Sequence, residues 1–214
     1  MEKEKFTYWY FNNVIPLHVC NDIVKRGTQG TLKTALTGKF LDKKESQIDK
    51  KDLHEKRNSD IKWLNENWIY NHLIPYAHLA NKNAEWNYQV DGPEHIQFTK
   101  YSAKQHYGWH QDAGLHSDAN REHAIKHYNG KIRKLSMTCQ LSDPKDYSGG
   151  EFEFDFRNYD PDKRRAKKRE HLLTEISGKG SVLVFPSFLW HRVKPVTKGI
   201  RYSLVAWMLG NPWR

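Results

Sequence analysis

The sequence has few cysteines, few acidic residues and no long apolar run. Its 214 residues include only Cys20 and Cys139 as cysteines, too few for a disulfide framework and in keeping with a reducing compartment. No apolar stretch approaches the roughly 18 residues that a membrane-crossing helix needs. The opening Met1-Glu2-Lys3-Glu4-Lys5-Phe6 is charged and lacks the apolar core of a secretory signal. The expectation is a cytoplasmic protein with no membrane partner. Acidic residues number 25 against 35 Lys and Arg, a formal net charge of +10. That balance invites nucleic acid as a partner, but much of the excess sits in a few segments rather than on one uniform face. Aliphatic content is low as well, so 8 Trp, 11 Tyr and 9 Phe supply much of the core. The length suits one domain, residues 1–214, able to bury about 70% of the surface its unfolded chain would expose. No internal repeat stands out.

What is present changes character near residue 95. Residues 6–15 read as a strand, and Pro16 opens a first helix. Residues 28–58 are polar and lysine-rich and read as a short strand followed by a charged connection. Ser59 or Asp60 can cap a helix running to about Asn81, with Ile61, Leu64, Trp68 and His72 at helical spacing and Pro75 expected to kink or divide it. Residues 1–94 thus form an N-terminal helical support. From 95 to 214 the period is two. Eight strands are expected: 95–101, 107–112, 133–142, 151–156, 172–176, 181–186, 189–196 and 200–209, punctuated by Gly, Pro, Asp and Ser. The fold class is mainly β with flanking helices, its core a double-sheet jelly roll, or double-stranded β-helix.

The chemistry concentrates in Tyr101-Ser102-Ala103-Lys104-Gln105-His106-Tyr107-Gly108-Trp109-His110-Gln111-Asp112. His110 and Asp112 are two apart, so on a strand both side chains leave one face. An imidazole and a carboxylate make two-thirds of a metal site, and His191 is the best candidate for the third ligand. Two His and one carboxylate on one face of a metal leave the other face open, as in non-haem Fe(II) oxygenases. Arg201 lies ten residues after His191, which allows a turn at Lys198-Gly199 and a return strand into the same cavity. A guanidinium there can grip a small dicarboxylate with two prongs. Ser203 shares the face of Arg201 and can add a hydroxyl, and Trp207 on that face walls the pocket. Tyr101 and Tyr107 flank it. Trp109 and Trp190 point the other way, into the core.

His110-x-Asp112, His191 and Arg201, with Arg133 to Phe152 between them, resemble the Fe(II)/2-oxoglutarate-dependent dioxygenases. Within these they are most similar to the prolyl 4-hydroxylase-like branch, as in bacterial and phage PKHD-type hydroxylases. The resemblance covers about residues 95–214. It implies Fe(II) held by His110, Asp112 and His191, with 2-oxoglutarate and O2 as co-substrates and ascorbate as reductant. It also implies hydroxylation of a prolyl residue in a protein or peptide, with succinate and CO2 as co-products, in the host cytoplasm if the chain is virus-encoded. Arg201 would pair with the distal carboxylate of 2-oxoglutarate and Tyr101 would lie against it, the alternative for Tyr101 being a core tyrosine. Gln140 stands where relatives often carry a tyrosine that touches the co-substrate, a departure that leaves the second contact to that carboxylate open.

Other features weigh less. An oxidative nucleic-acid demethylase of this kind usually carries a further arginine where this chain has Trp207. A non-catalytic binding domain would engage RNA or an acidic protein through Lys163–Arg169, a run that reads more simply as a solvated loop. His116, His123 and His127 raise a second metal site, against which solvated histidines are the simpler reading. His106 is likewise not expected to be a ligand. A loop at 113–132 is placed to overhang the site. Exposed strand edges allow a monomer or a homodimer.

Overall fold

Short strands and two long helices precede residue 96, and nearly continuous β structure follows it. The computed structural model describes residues 6–37, 49–113, 126–157, 162, 171–174, 176 and 178–213. In chain order the first elements are β1 (Trp9–Phe11), α1 (Leu17–Thr28), β2 (Lys33–Thr34), α2 (Lys50–Lys56), β3 (Arg57–Asn58), β4 (Asp60–Leu64), α3 (Asn67–Asn83), β5 (Gly92–Pro93) and β6 (Ile96–Tyr101). Then come β7 (His106–His110), β8 (Ile132–Gln140), β9 (Tyr147–Gly149), β10 (Phe152–Asp155), β11 (His171–Leu172), β12 (Val182–Pro186), β13 (Trp190–Val193), β14 (Val196–Gly199) and β15 (Arg201–Gly210).

Two antiparallel sheets face each other. The larger runs β1-β12-β8-β15-β6-β4-β2, with β5 also paired to β15, and the smaller runs β11-β10-β13-β7-β3. This is the double-stranded β-helix expected from the sequence. Period-two alternation gives each central strand two jobs. On β15, Leu204, Ala206 and Met208 join a core with Val19, Cys20 and Ile23 of α1 and with Ile69, Leu73, Ala77 and Ala80 of α3. The intervening Arg201, Ser203, Val205 and Trp207 face the space between the sheets. The helices therefore cover the outer face of the large sheet and leave its inner face to the site. A smaller cluster, including Phe152, Phe154, Leu183 and Phe185, closes the inter-sheet space on one side.

Several elements differ from the sequence expectation. Residues 60–64 are a strand, not the start of a helix; β4 pairs with β6 and β2, and α3 begins only at Asn67. A run this short carries apolar spacing compatible with either state, and sheet pairing decides it. Pro75 lies inside a continuous α3 and does not divide it. The N-terminal strand shrinks to Trp9–Phe11, and the strand expected at 172–176 to His171–Leu172. Strands β1 to β5 all come from the part read as helical support, and β3 and β4 together carry the chain from the small sheet to the large one. The turn expected at Lys198-Gly199 is instead the end of β14, where both residues pair with β9, and only Ile200 separates it from β15. Gly199 takes φ 75°, and a Cβ there would collide with the Asp146 carbonyl oxygen. Among the described residues no helix is long and apolar enough to cross a membrane. The run 163–169, His116 and His123, and residues 114–125 of the expected overhanging loop lie outside the described residues, as does the side chain of His127.

Candidate active site

A cavity of about 260 Å³ lies between the sheets. His110 ends β7, His191 sits on the neighbouring β13, and the two are directly paired across the ladder, with ring centroids 4.1 Å apart. Asp112 is not on the strand as the two-residue spacing suggested. It lies two residues beyond β7, where its backbone N–H donates to the Ser187 carbonyl at 3.0 Å. Its carboxylate still meets both rings, with His110 Nε2 at 3.8 Å and His191 Nε2 at 3.5 Å. One ligand atom from each of the three falls within 4.8 Å of the others.

Hydrogen bonds aim these groups. His110 Nδ1 faces the Gly108 carbonyl at 2.8 Å and His191 Nδ1 faces that of Leu189 at 2.9 Å. An Nδ1–H donated to a carbonyl leaves each Nε2 lone pair bare and pointed at the shared space. Ser136 Oγ donates to Asp112 Oδ2 at 2.7 Å and lies 2.9 Å from Ser187 Oγ. Burial, with His191 as its neighbour, pushes the His110 pKa well below the ordinary value; burial also lowers that of His191. Burial alone would raise Asp112, but His191, His110, Arg133 and the Ser136 hydroxyl outweigh it and hold the carboxyl at about 2. Two neutral imidazoles and one carboxylate, all with metal-facing lone pairs, are the donor set an Fe(II) ion takes.

Arg201 opens β15 opposite Tyr101. It is 4% exposed, and its hydrogen-bond partner is Ser203 Oγ at 3.4 Å. No carboxylate among the described residues meets it, and a buried guanidinium in that state calls for an anion. Its Cζ lies 5.6 Å from the Tyr101 ring centre. Gly150, at φ 70°, packs against its Cδ, where a Cβ would come within 3.0 Å. Tyr107 stacks on His110, with centroids 3.5 Å apart and planes 11° apart, and burial pushes its phenol up to about 12. Trp207 walls the cavity, with Arg133 Cζ 3.7 Å above its ring. Its buried Nε1 has no hydrogen-bond partner among the described residues. Gln140 pairs with Ser203 across the ladder but is not part of the cavity lining. It is buried and donates instead to the Tyr147 hydroxyl. Trp109 is buried under Arg192, and neither it nor Trp190 lines the cavity; His106 faces the carbonyls of Lys104 and Glu55.

Sequence reasoning missed Ser136, Arg57, Trp63 and the role of Arg133. Ser136 had a faint signal, since Ser136, Thr138 and Gln140 form the polar phase of a strand whose other phase is Leu135, Met137 and Cys139. Arg133 had none. Strict alternation from Ser136 turns it toward the helices, but the register slips between Met208 and Leu209, so that Leu209 pairs with Arg133 and Lys134 becomes the extra residue. Arg133 then faces the cavity, held by Glu94 through Nε at 2.6 Å and Nη2 at 2.5 Å.

Comparison with known proteins agrees with this geometry. A PKHD-type hydroxylase of Gloeothece citriformis is 35% identical over 113 residues, covering 53% of this chain but 41% of that protein. The match thus spans about two-fifths of that relative's length. A Pseudomonas putida prolyl-4-hydroxylase structure matches with a TM-score of 0.63 at 17% identity, covering 95% of this chain and 92% of that one. A Trichoplax adhaerens prolyl hydroxylase, solved in complex with a peptide fragment of hypoxia inducible factor, matches with a TM-score of 0.60 at 15% identity, covering 95% and 84%. Likeness at that identity concerns the fold. The family model described as 2OG-Fe(II) oxygenase superfamily matches residues 96–209, so with its triad and buried arginine in one cavity the chain belongs to that superfamily, whose metal is Fe(II) and whose co-substrate is 2-oxoglutarate.

Proposed function

We propose that this chain is a dioxygenase that hydroxylates a prolyl residue in a protein or peptide, releasing succinate and CO2 from 2-oxoglutarate. The observation that carries the proposal is the pairing, in one cavity, of a three-ligand metal set with the uncompensated Arg201. A zinc hydrolase would use the triad but leave Arg201 without purpose. His110 and His191 would hold iron through Nε2 and Asp112 through its carboxylate. Bound iron supplies the oxidising power to functionalise an unactivated C–H bond. The chain's own residues do the rest. The carbonyls of Gly108 and Leu189 fix the tautomers, and Ser136 fixes the rotamer of Asp112. Arg201, with Ser203 beside it, grips the distal carboxylate of 2-oxoglutarate and so orients it. Tyr101 packs at that end. Tyr107 stays protonated as a donor beside His110, and Trp207 helps exclude water.

The prolyl, peptide-borne substrate is supported by the relatives named above and by the exposed Trp63 ring beside Trp207 (centroids 6.1 Å apart) at the cavity, a surface suited to an apolar pyrrolidine. Residues 1–214 act as one domain, since the N-terminal strands complete both sheets. Ascorbate keeps the iron reduced, and the two buried free cysteines suit a cytoplasmic setting.

The test is anaerobic. Fe(II) and 2-oxoglutarate added to metal-free protein should give the visible metal-to-ligand charge-transfer band, absent in His191→Ala. With O2, ascorbate and a proline-peptide library, succinate should form together with a peptide gain of one oxygen atom. No band despite bound iron would refute the oxygenase reading; a band with hydroxylation of some other residue would refute the prolyl one.

A further inference from the structure

The described arginines divide into two groups. Arg26 meets Glu66, Arg133 meets Glu94, Arg157 meets Asp155 and Arg192 meets Glu153. Arg57 and Arg201 meet no carboxylate among the described residues, and both line the same cavity. Arg57 is 6% exposed. Its partners are neutral: Nε donates to Ser59 Oγ at 3.1 Å and Nη1 to the Leu36 carbonyl at 3.4 Å. A guanidinium carries five N–H donors, so several remain for a ligand. Its Cζ sits 4.3 Å over the Tyr107 ring, whose other partner is the His110 ring. Arg57 is thus one aromatic ring away from a metal ligand.

The site's own charges do not need it. Iron brings two positive charges and Arg201 a third, and Asp112 with the two carboxylates of 2-oxoglutarate balances all three. Arg57 is left over, and its cation–π contact with Tyr107 offsets only part of the burial cost. Leu36, whose carbonyl takes its Nη1, and Thr37 after it also line the cavity and are half-buried, so the lining beside Arg57 reaches towards solvent.

Taking the site as the peptide hydroxylase proposed above, on which this inference rests, we infer that Arg57 is a specificity-determining residue that binds a carboxylate of the substrate. The substrate is then an acidic peptide, its carboxylate next to the oxidised residue. Two neutral acceptors at 3.1 and 3.4 Å are a poor reason to bury a charge; a carboxylate held by the guanidinium fork is a good one.

Two pools of random peptides around a fixed proline test this, one flanked by Asp or Glu and the other by Asn or Gln, each with free and amidated C-termini. Anaerobic titration into Mn(II)-loaded protein, with and without 2-oxoglutarate, is followed by tryptophan fluorescence. The acidic pool should bind at least about tenfold more tightly than the amide pool. Arg57→Gln should erase the difference and Arg57→Lys should keep a smaller one, with thermal unfolding and the iron–2-oxoglutarate band as in the parent protein. A preference that follows only the free C-terminus assigns the carboxylate to the chain end. Equal binding of all pools, no binding of any, or a preference surviving Arg57→Gln overturns the inference. So does a raised 2-oxoglutarate requirement in Arg57→Gln, which would give the residue to the co-substrate. A parent protein that fails to bind 2-oxoglutarate refutes the oxygenase reading instead, and the titration without it still reports on Arg57.

Discussion

Ser136→Ala separates a working metal centre from three residues that merely lie close together. Ser136 is fully buried, and its hydroxyl proton goes to Asp112 Oδ2 at 2.7 Å. A hydroxyl has one proton, so Ser136 must accept from Ser187 across their 2.9 Å contact, giving a directional relay from Ser187 through Ser136 to Asp112. Deleting one oxygen leaves almost no cavity and keeps the strand. What is lost is a charge-assisted hydrogen bond of about 1.5–3 kcal/mol. Some of this returns as the carboxylate reorients, and partners of this kind typically contribute 10- to 100-fold in metal affinity. We expect Fe(II) or Co(II) affinity, measured by anaerobic competition with a chelator, to fall about 30-fold, near 2 kcal/mol at 1.4 kcal/mol per decade. Ser187→Ala, one bond further away, should cost less. Affinity within about twofold of the parent in a correctly folded Ser136→Ala protein would refute the view that Ser136 orients a ligand.

Two further outcomes follow from the charges. Arg201→Met should leave the metal-free protein equally or more stable, because an unpaired buried cation is removed. It should also abolish the stabilisation that 2-oxoglutarate gives the metal-loaded parent; thermal unfolding with and without the co-substrate checks both arms. In metal-free protein, stability should fall as pH drops through 6.5. There the unfolded chain binds protons at His110 and His191 while the folded chain, with both pKa values lowered, does not; the slope is at most about 1.4 kcal/mol per pH unit per group. Asp112, held at about 2 against an ordinary 3.8, stabilises above 3.8 and adds a second loss below it. Urea unfolding from pH 8 to pH 4.5 of the parent and of a His110→Gln, His191→Gln double variant should show the upper slope in the parent alone.

Much of the site was legible in the one-dimensional text because its chemistry demands particular residue types. A metal of this kind needs two imidazoles and a carboxylate, and a buried dicarboxylate needs a guanidinium. His110, Asp112, His191 and Arg201 stand out for that reason, as does the period-two pattern that places Ser203 and Trp207 on the face of Arg201. The jelly-roll core was readable from the same alternation, which burial imposes on any strand between a helix layer and a cavity. The N-terminal part was legible only in places: the helix after Pro16 and a short strand within 28–58 are present, but the start of the second long helix lies later than its spacing suggested. Ile61 and Leu64 fit a helix as well as a strand, and only pairing with β6 and β2 chose the strand, since a short element takes its conformation from its neighbours.

What the sequence by itself determined, then, is the set of residue types that meet in the cavity, two histidines, a carboxylate and a buried arginine, although the strand parity expected of His110 and Asp112 did not hold. What only the tertiary structure decided is which further residues surround the triad and Arg201. Arg57 reaches the cavity because β3 pairs beside β7, Arg133 because a one-residue slip against β15 turns it inward, and Ser136 meets Asp112 only when two sheets close on each other. None of these contacts has a fixed spacing along the chain, since each is made between strands brought together by burial of the helix-facing core.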